Sequence, residues 1–188
     1  MAYRLGWVML KQVVNRMKAQ EINIQNQLRG DCAAFIKWAD TLSDERFMAQ
    51  VDRKWSVAEV MQHLYLSARP VARLLVGPRD VLNQWGKPEV PVRGYDEVAQ
   101  AYKNILATGV KAPAGMSPRP EDTQIGRSDM VKRFEGIYDD LISAVEVWPL
   151  HELDEYCIPH PVLGKLSVRE MLYFTSIHTQ HHLGLVKL

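Results

Sequence analysis

Cysteine is nearly absent. Cys32 and Cys157 are the two in 188 residues, with neither framework spacing nor Cys-x-x-Cys, which argues against a disulfide scaffold and a cysteine-rich zinc site. Their thiols read as reduced, and the protein as cytoplasmic. An excess of one charge is lacking too: Lys+Arg number 23 against 22 Asp+Glu. The chain therefore carries no electrostatic footprint for a phosphate backbone, and nucleic acid is not expected as a partner. No run approaches the roughly 18 apolar residues that cross a bilayer. Leu5 to Leu10, ahead of Lys11, is too short for a signal-peptide core and no small-residue cleavage site follows it, so no membrane partner is expected. Period-two alternation is also missing, apart from a short extended piece allowed within Leu153 to Leu166.

What remains is a helical pattern in a chain of 47% apolar and 24% charged residues, enough for one domain, 1–188, with a full core. The segment from Tyr3 to Phe47 is rich in helix formers, with a break expected at Gly30-Asp31, where Asp31 caps a second piece. Ser56-Val57-Ala58-Glu59 is a capping box with Trp55 before it as a staple. The helix it opens carries Val60, His63 and Leu64, with Pro70 expected to kink it or end its first half, and Gly77-Pro78 ends the pattern. Gly86 to Gly94 reads as loop, Asp96 to Leu106 as a short helix, and Gly109 to Arg127 as the longest loop, of a length that often covers a site. Ser128 to Val147 is a third long helix, stopped by Trp148-Pro149. Ser167-Val168-Arg169-Glu170 repeats the capping box and opens a last helix to the C-terminus. The fold class is all-α, a four-helix bundle with long crossing loops.

The chemistry is concentrated in histidine. His178 and His182 are four apart, stacked on one helix face with Met171, Phe174 and Leu185. His63 lies seven residues after Ser56 and also faces inward. Two readings stay open on spacing alone: three hydrogen-bonded core histidines, or three ligands of one metal ion, since burying three imidazoles without partners is unfavourable by a few kcal/mol each. His181 sits about 60° to one side of His178, as a competing ligand or an entrance residue. His151 and His160 fall in a connector and read as solvent or turn histidines. Thr179 stands where a His-Glu-x-x-His protease carries its base. Glu59 is explained by its cap, with a base one turn from His63 as the alternative. Three neutral histidines would leave an open position on Zn²⁺ or Ni²⁺, the arrangement of a catalytic or ligand-binding site.

Three stretches carry a family resemblance: Trp55-Ser56-Val57-Ala58-Glu59-Val60-Met61-Gln62-His63-Leu64, then His160-Pro161-Val162-Leu163-Gly164-Lys165-Leu166-Ser167, and His178-x-x-x-His182-Leu183. Together they resemble the DinB-like superfamily of metalloenzymes. The resemblance runs from about Thr41 to Leu188 and includes Lys111-Ala112-Pro113; it is weakest over residues 1–40, which stand as an N-terminal elaboration. It implies a four-helix bundle of DinB-like type with one divalent metal, nickel or zinc, on His63, His178 and His182. It further implies a small-molecule substrate, a low-molecular-weight thiol in the S-transferases and isomerases of the superfamily, and a homodimer as in several members.

Two functions follow as expectations. The first is a divalent-metal-dependent enzyme, a thiol-dependent S-transferase or a hydrolase, with Arg69, Arg73 and Arg119 as candidate cations for an anionic thiol and Gly109 to Arg127 as the cover. The alternative is a non-catalytic metal-binding or stress-response module.

Overall fold

The computed structural model describes residues 23–187; the N-terminal expectations from Tyr3 to residue 22, and Leu188, lie outside the described residues. The architecture is all-α with one small hairpin. In chain order the elements are α1 (residues 23–39), α2 (Asp44–Met48), α3 (Val57–Val76), α4 (Tyr95–Leu106), α5 (Arg127–Val147), α6 (Glu152–Glu155), β1 (Cys157–His160), β2 (Gly164–Ser167) and α7 (Val168–Val186). Three 3-10 segments, Arg79–Trp85, Ala114–Met116 and Pro120–Thr123, lie in the long connections.

The long helices α1, α3, α5 and α7 enclose one core. Phe35 of α1 meets Phe134 of α5 with ring centroids 5.3 Å apart. Helix α3 packs on both α5 and α7, and α7 returns to α1 through Ser176 and Gln180, which donate to the carboxylate of Asp31. Asp31 therefore ties two helices together instead of capping a new one. The expected break at Gly30 does not occur, and α1 runs straight through it. A glycine in a helix is unfavourable by only about 1 kcal/mol, and the buried Leu28, Cys32 and Phe35 on either side more than offset that.

Pro70 likewise does not end α3, which is a single helix of 20 residues. A proline inside a helix is unfavourable by about 3 kcal/mol, but Ala68, Val71, Ala72 and Leu75 around it are all buried in the core. Beyond them Trp148 Nε1 donates to the Leu75 carbonyl at 2.9 Å, anchoring the end of α3 to the end of α5.

Both histidine-bearing helices start where the sequence places them. Ser56 and Ser167 each accept from the amide of the third residue on, and Glu59 and Glu170 accept back from the cap amides. Gln50 also donates to Glu59, whereas Arg93 engages Glu170 with its backbone amide at 3.1 Å and its Nε at 2.7 Å. The extended piece expected before α7 is a two-stranded antiparallel hairpin, Cys157 pairing Ser167 and His160 pairing Gly164. Its three-residue loop closes on Gly164 at φ +75°, the left-handed position that such loops require. Ser167 ends β2 and caps α7, so the hairpin and the helix are fixed as one piece.

The Glu170–Arg93 pair predicts an acid-sensitive contribution. Burial pushes the Glu170 carboxyl up, but the hydrogen bonds from Arg93 and Ser167 together with the Arg93 charge outweigh it and hold it below the ordinary 4.5. A depressed carboxylate stabilises the fold fully above its unfolded-state value and loses that contribution as pH falls through the folded-state value. Glu170→Gln keeps an acceptor for the cap and removes the charge, so it should lower stability by about 1–3 kcal/mol at pH 7 and flatten the decline between pH 5 and 3. Urea midpoints of both proteins across that range check it; parallel declines would contradict the assignment.

Candidate metal centre

The two capping boxes set the phase of the site. Two turns into α3, His63 points into the interior, and from the middle of α7 His178 does the same; both are buried. His182 follows one turn later, half-buried. The His178 Nε2 lies 3.1 Å from the Nε2 of His63, 115 residues away in sequence, and 3.0 Å from the Nε2 of His182. All three ligand atoms fall within 4.8 Å of one another. A tetrahedral ion with nitrogen bonds of 2.0–2.1 Å spaces its ligands about 3.3 Å apart, so the set is already close to the geometry that one ion requires.

The protonation chemistry of the donors agrees. His63 Nδ1 lies 2.7 Å from the backbone oxygen of Met116, to which it donates, so its Nε2 presents a lone pair. A proton on His178 Nε2 can then point at one neighbour only, and a proton on His182 Nε2 can serve only the other contact. Whichever ring carries the proton, hydrogen bonding alone leaves one of the two contacts without a hydrogen bond; a single cation serves all three. Burial, joined by repulsion from the neighbouring rings, pushes His178 well below its ordinary value and His182 down to about 3. Burial also lowers His63, against the opposing pull of the Met116 carbonyl. At neutral pH the three rings are uncharged, the state in which imidazole binds a metal.

The surroundings clamp the rings. Phe174 stacks on His178 at 5.1 Å and 21°, Tyr102 meets it edge-on at 5.9 Å, and Trp55 lies 5.0 Å from His63. The cluster opens on a cavity of about 790 Å³ lined in part by the 109–127 connection, including Lys111, Pro113 and Met116.

Placement of the other sequence candidates is mixed. His181 is rotated off the set, 5.6 Å from Tyr102, and lines the cavity without joining the three nitrogens. Leu185, expected on the same inward face, is 50% exposed, because the inward face of α7 there runs through the buried Leu183 and through Val186, which still packs on the core. Glu59 is occupied by its cap and Gln50 and does not line the cavity. Arg69, Arg73 and Arg119 do not line it either; the cations that do, among the described residues, are Arg53 and Lys111. His151 is exposed and remote. His160 is a turn histidine as expected, yet it also lines the cavity, with its ring 4.2 Å from Phe174. The Met116 carbonyl had no sequence signal, being backbone. Both cysteines are buried and unpaired, and burial pushes the Cys32 thiol up to about 12, so neither is a nucleophile for this cavity.

The profile of the DinB superfamily matches residues 27–186 of the chain. An uncharacterized protein of Bacillus subtilis (strain 168), YuaE, is 28% identical over 152 residues, covering 78% of this chain and 84% of its own. No solved structure matches.

Alanine at His63, His178 or His182 is predicted to abolish stoichiometric metal in protein purified without a nickel column, because two ligands rarely hold Zn²⁺ or Ni²⁺ tightly. His181→Ala should keep the metal with about 10–100-fold weaker affinity. Elemental analysis decides, and loss in His181→Ala with retention in His182→Ala would overturn the ligand set. Verified chelation should also lower the melting temperature, since a metal at 100 times its dissociation constant contributes about 2.7 kcal/mol.

Proposed function

The chain belongs to the DinB superfamily, and from that we propose that it is a divalent-metal-dependent enzyme acting with a low-molecular-weight thiol, the ion, nickel or zinc, being held by His63, His178 and His182. The observation that carries this reading is the convergence of three uncharged Nε2 atoms beside a cavity of about 790 Å³. A structural ion would need no such space. A divalent ion there supplies Lewis acidity, lowering the pKa of a thiol or water at its open position.

The chain's own residues favour the thiol over the hydrolytic reading. No Asp or Glu lines the cavity among the described residues, so no carboxylate stands ready to take a proton from water. Cys32 and Cys157 do not line it, so a sulfur nucleophile has to arrive with a substrate. His181, half-buried and uncharged through burial, is the lining imidazole free to take the proton that an arriving thiol gives up. Trp55 packs against His63, and Phe174 and Tyr102 against His178, so two of the donor rings are held by aromatic neighbours.

Cobalt substitution tests this reading. Protein carrying one equivalent of Co²⁺ should develop a near-ultraviolet sulfur-to-cobalt charge-transfer band when cysteine, glutathione or coenzyme A is added. His181→Ala should retain that band and require higher pH to form it. No band at saturating thiol, with cobalt still bound, would exclude thiol ligation.

A further inference from the structure

His160 is the cavity residue that neither the core nor the metal set accounts for. Its Nδ1 accepts the backbone amides of Leu163 at 3.0 Å and Val162 at 3.3 Å, capping the hairpin turn. A ring nitrogen that accepts amide protons carries none itself, so the proton of the neutral ring sits on Nε2. Phe174 lies at 4.2 Å and itself stacks on His178. The imidazole is therefore held one aromatic ring away from the three-histidine cluster. Among the described residues no acceptor meets its Nε2–H, and the atom is not one of the sealed, unpartnered ones. Burial pushes this imidazole down to about 4, so near neutral pH it remains an uncharged donor of fixed tautomer.

The rest of the lining indicates what accepts that hydrogen bond. Trp55, Leu64, Val71, Leu74 and Trp85 give the cavity apolar walls. Arg53 and Lys111 also line it, whereas no acidic residue does among those described. Arg53 and its neighbour Asp52 hold φ +60° and +52°, a left-handed pair of non-glycine residues that is strained and tends to occur at functional sites. Positive groups without acidic ones favour an anion, and apolar walls favour a hydrocarbon body.

We propose that the cavity takes an amphipathic carboxylate as substrate, its carboxylate accepting the Nε2–H of His160 and its apolar body lying along the Trp55, Val71 and Leu74 wall. This rests on the metal-enzyme reading of the same site and names the class of molecule that would meet the thiol there. Arg53 and Lys111 set the preference for negative charge, and His160 fixes where the carboxylate stops.

Calorimetric titration of octanoate, 1-octanol and octylamine into zinc-loaded protein tests it. Octanoate should bind about 10-fold or more tightly than the other two. His160→Asn keeps an oxygen for the turn amides, and its shorter amide presents no N–H at the Nε2 position, so it should weaken octanoate by about 10-fold while leaving 1-octanol affinity and zinc stoichiometry unchanged. His160→Gln, which restores an N–H near the Nε2 position, should recover part of the loss. Equal octanoate affinity in wild type and His160→Asn, or no preference for octanoate over 1-octanol, overturns the proposal. Failure of the metal reading shows separately, as absent zinc stoichiometry, and the same titrations on metal-free protein then decide. If His160→Asn does not fold, Lys111→Gln at its exposed position reads the charge preference: an unchanged octanoate-to-octanol ratio counts against the proposal.

Discussion

Three uncharged imidazoles have to stay in contact inside an apolar interior, and most of the structure around the site serves that constraint. Bringing lone pairs to about 3 Å is unfavourable unless a proton or a cation lies between them. The constraint is met from two helices far apart in sequence, each started by the same device, a serine cap with a glutamate three residues on. A cap fixes the first turn, and the helical repeat then fixes the direction of every later side chain. A frayed start at Ser56 or Ser167 would let the rings rotate relative to one another, and the spacing of the nitrogens depends on that rotation. The caps are reinforced accordingly, by Gln50 on one and Arg93 on the other.

The connections complete what the helices begin. The Gly109–Arg127 segment is not a loose cover: its Met116 carbonyl accepts a hydrogen bond from His63 Nδ1–H and so decides which nitrogen of that ring is left to bind. The hairpin before α7 places His160 against Phe174, and Phe174 against His178. A backbone carbonyl and a tight turn thus set the tautomers of two rings on different elements. The cavity beside them owes its character to what lines it, apolar walls with Arg53 and Lys111 and no described carboxylate.

The long-range geometry was legible in the sequence where it followed from helical phase. Ser56 and Ser167 can be assigned as caps, and His63, His178 and His182 to inward faces, from spacing alone, and the structure brings the three rings together. Helix breaks were less legible. Gly30 and Pro70 have poor helix propensity, but the buried residues flanking each outweigh it, and burial of a partner surface cannot be seen in a single strand of sequence. The cations are hard to place for a related reason: Arg69, Arg73 and Arg119 lie near the right segments without lining the cavity, because which cation reaches it depends on how the connections fold back. His160 reads from sequence as a solvent or turn histidine, and it does cap the hairpin turn. Its second role, facing the cavity, arises because the turn itself is packed over the site.

X-ray absorption at the zinc edge, on protein carrying one equivalent of zinc, tests the central claim most directly. Three imidazole nitrogens at about 2.0–2.1 Å with one further light-atom ligand, and loss of imidazole scattering in His182→Ala, are the predicted result. Two or fewer imidazoles, a sulfur ligand in thiol-free buffer, or four imidazoles closing the coordination sphere would contradict an open three-histidine centre.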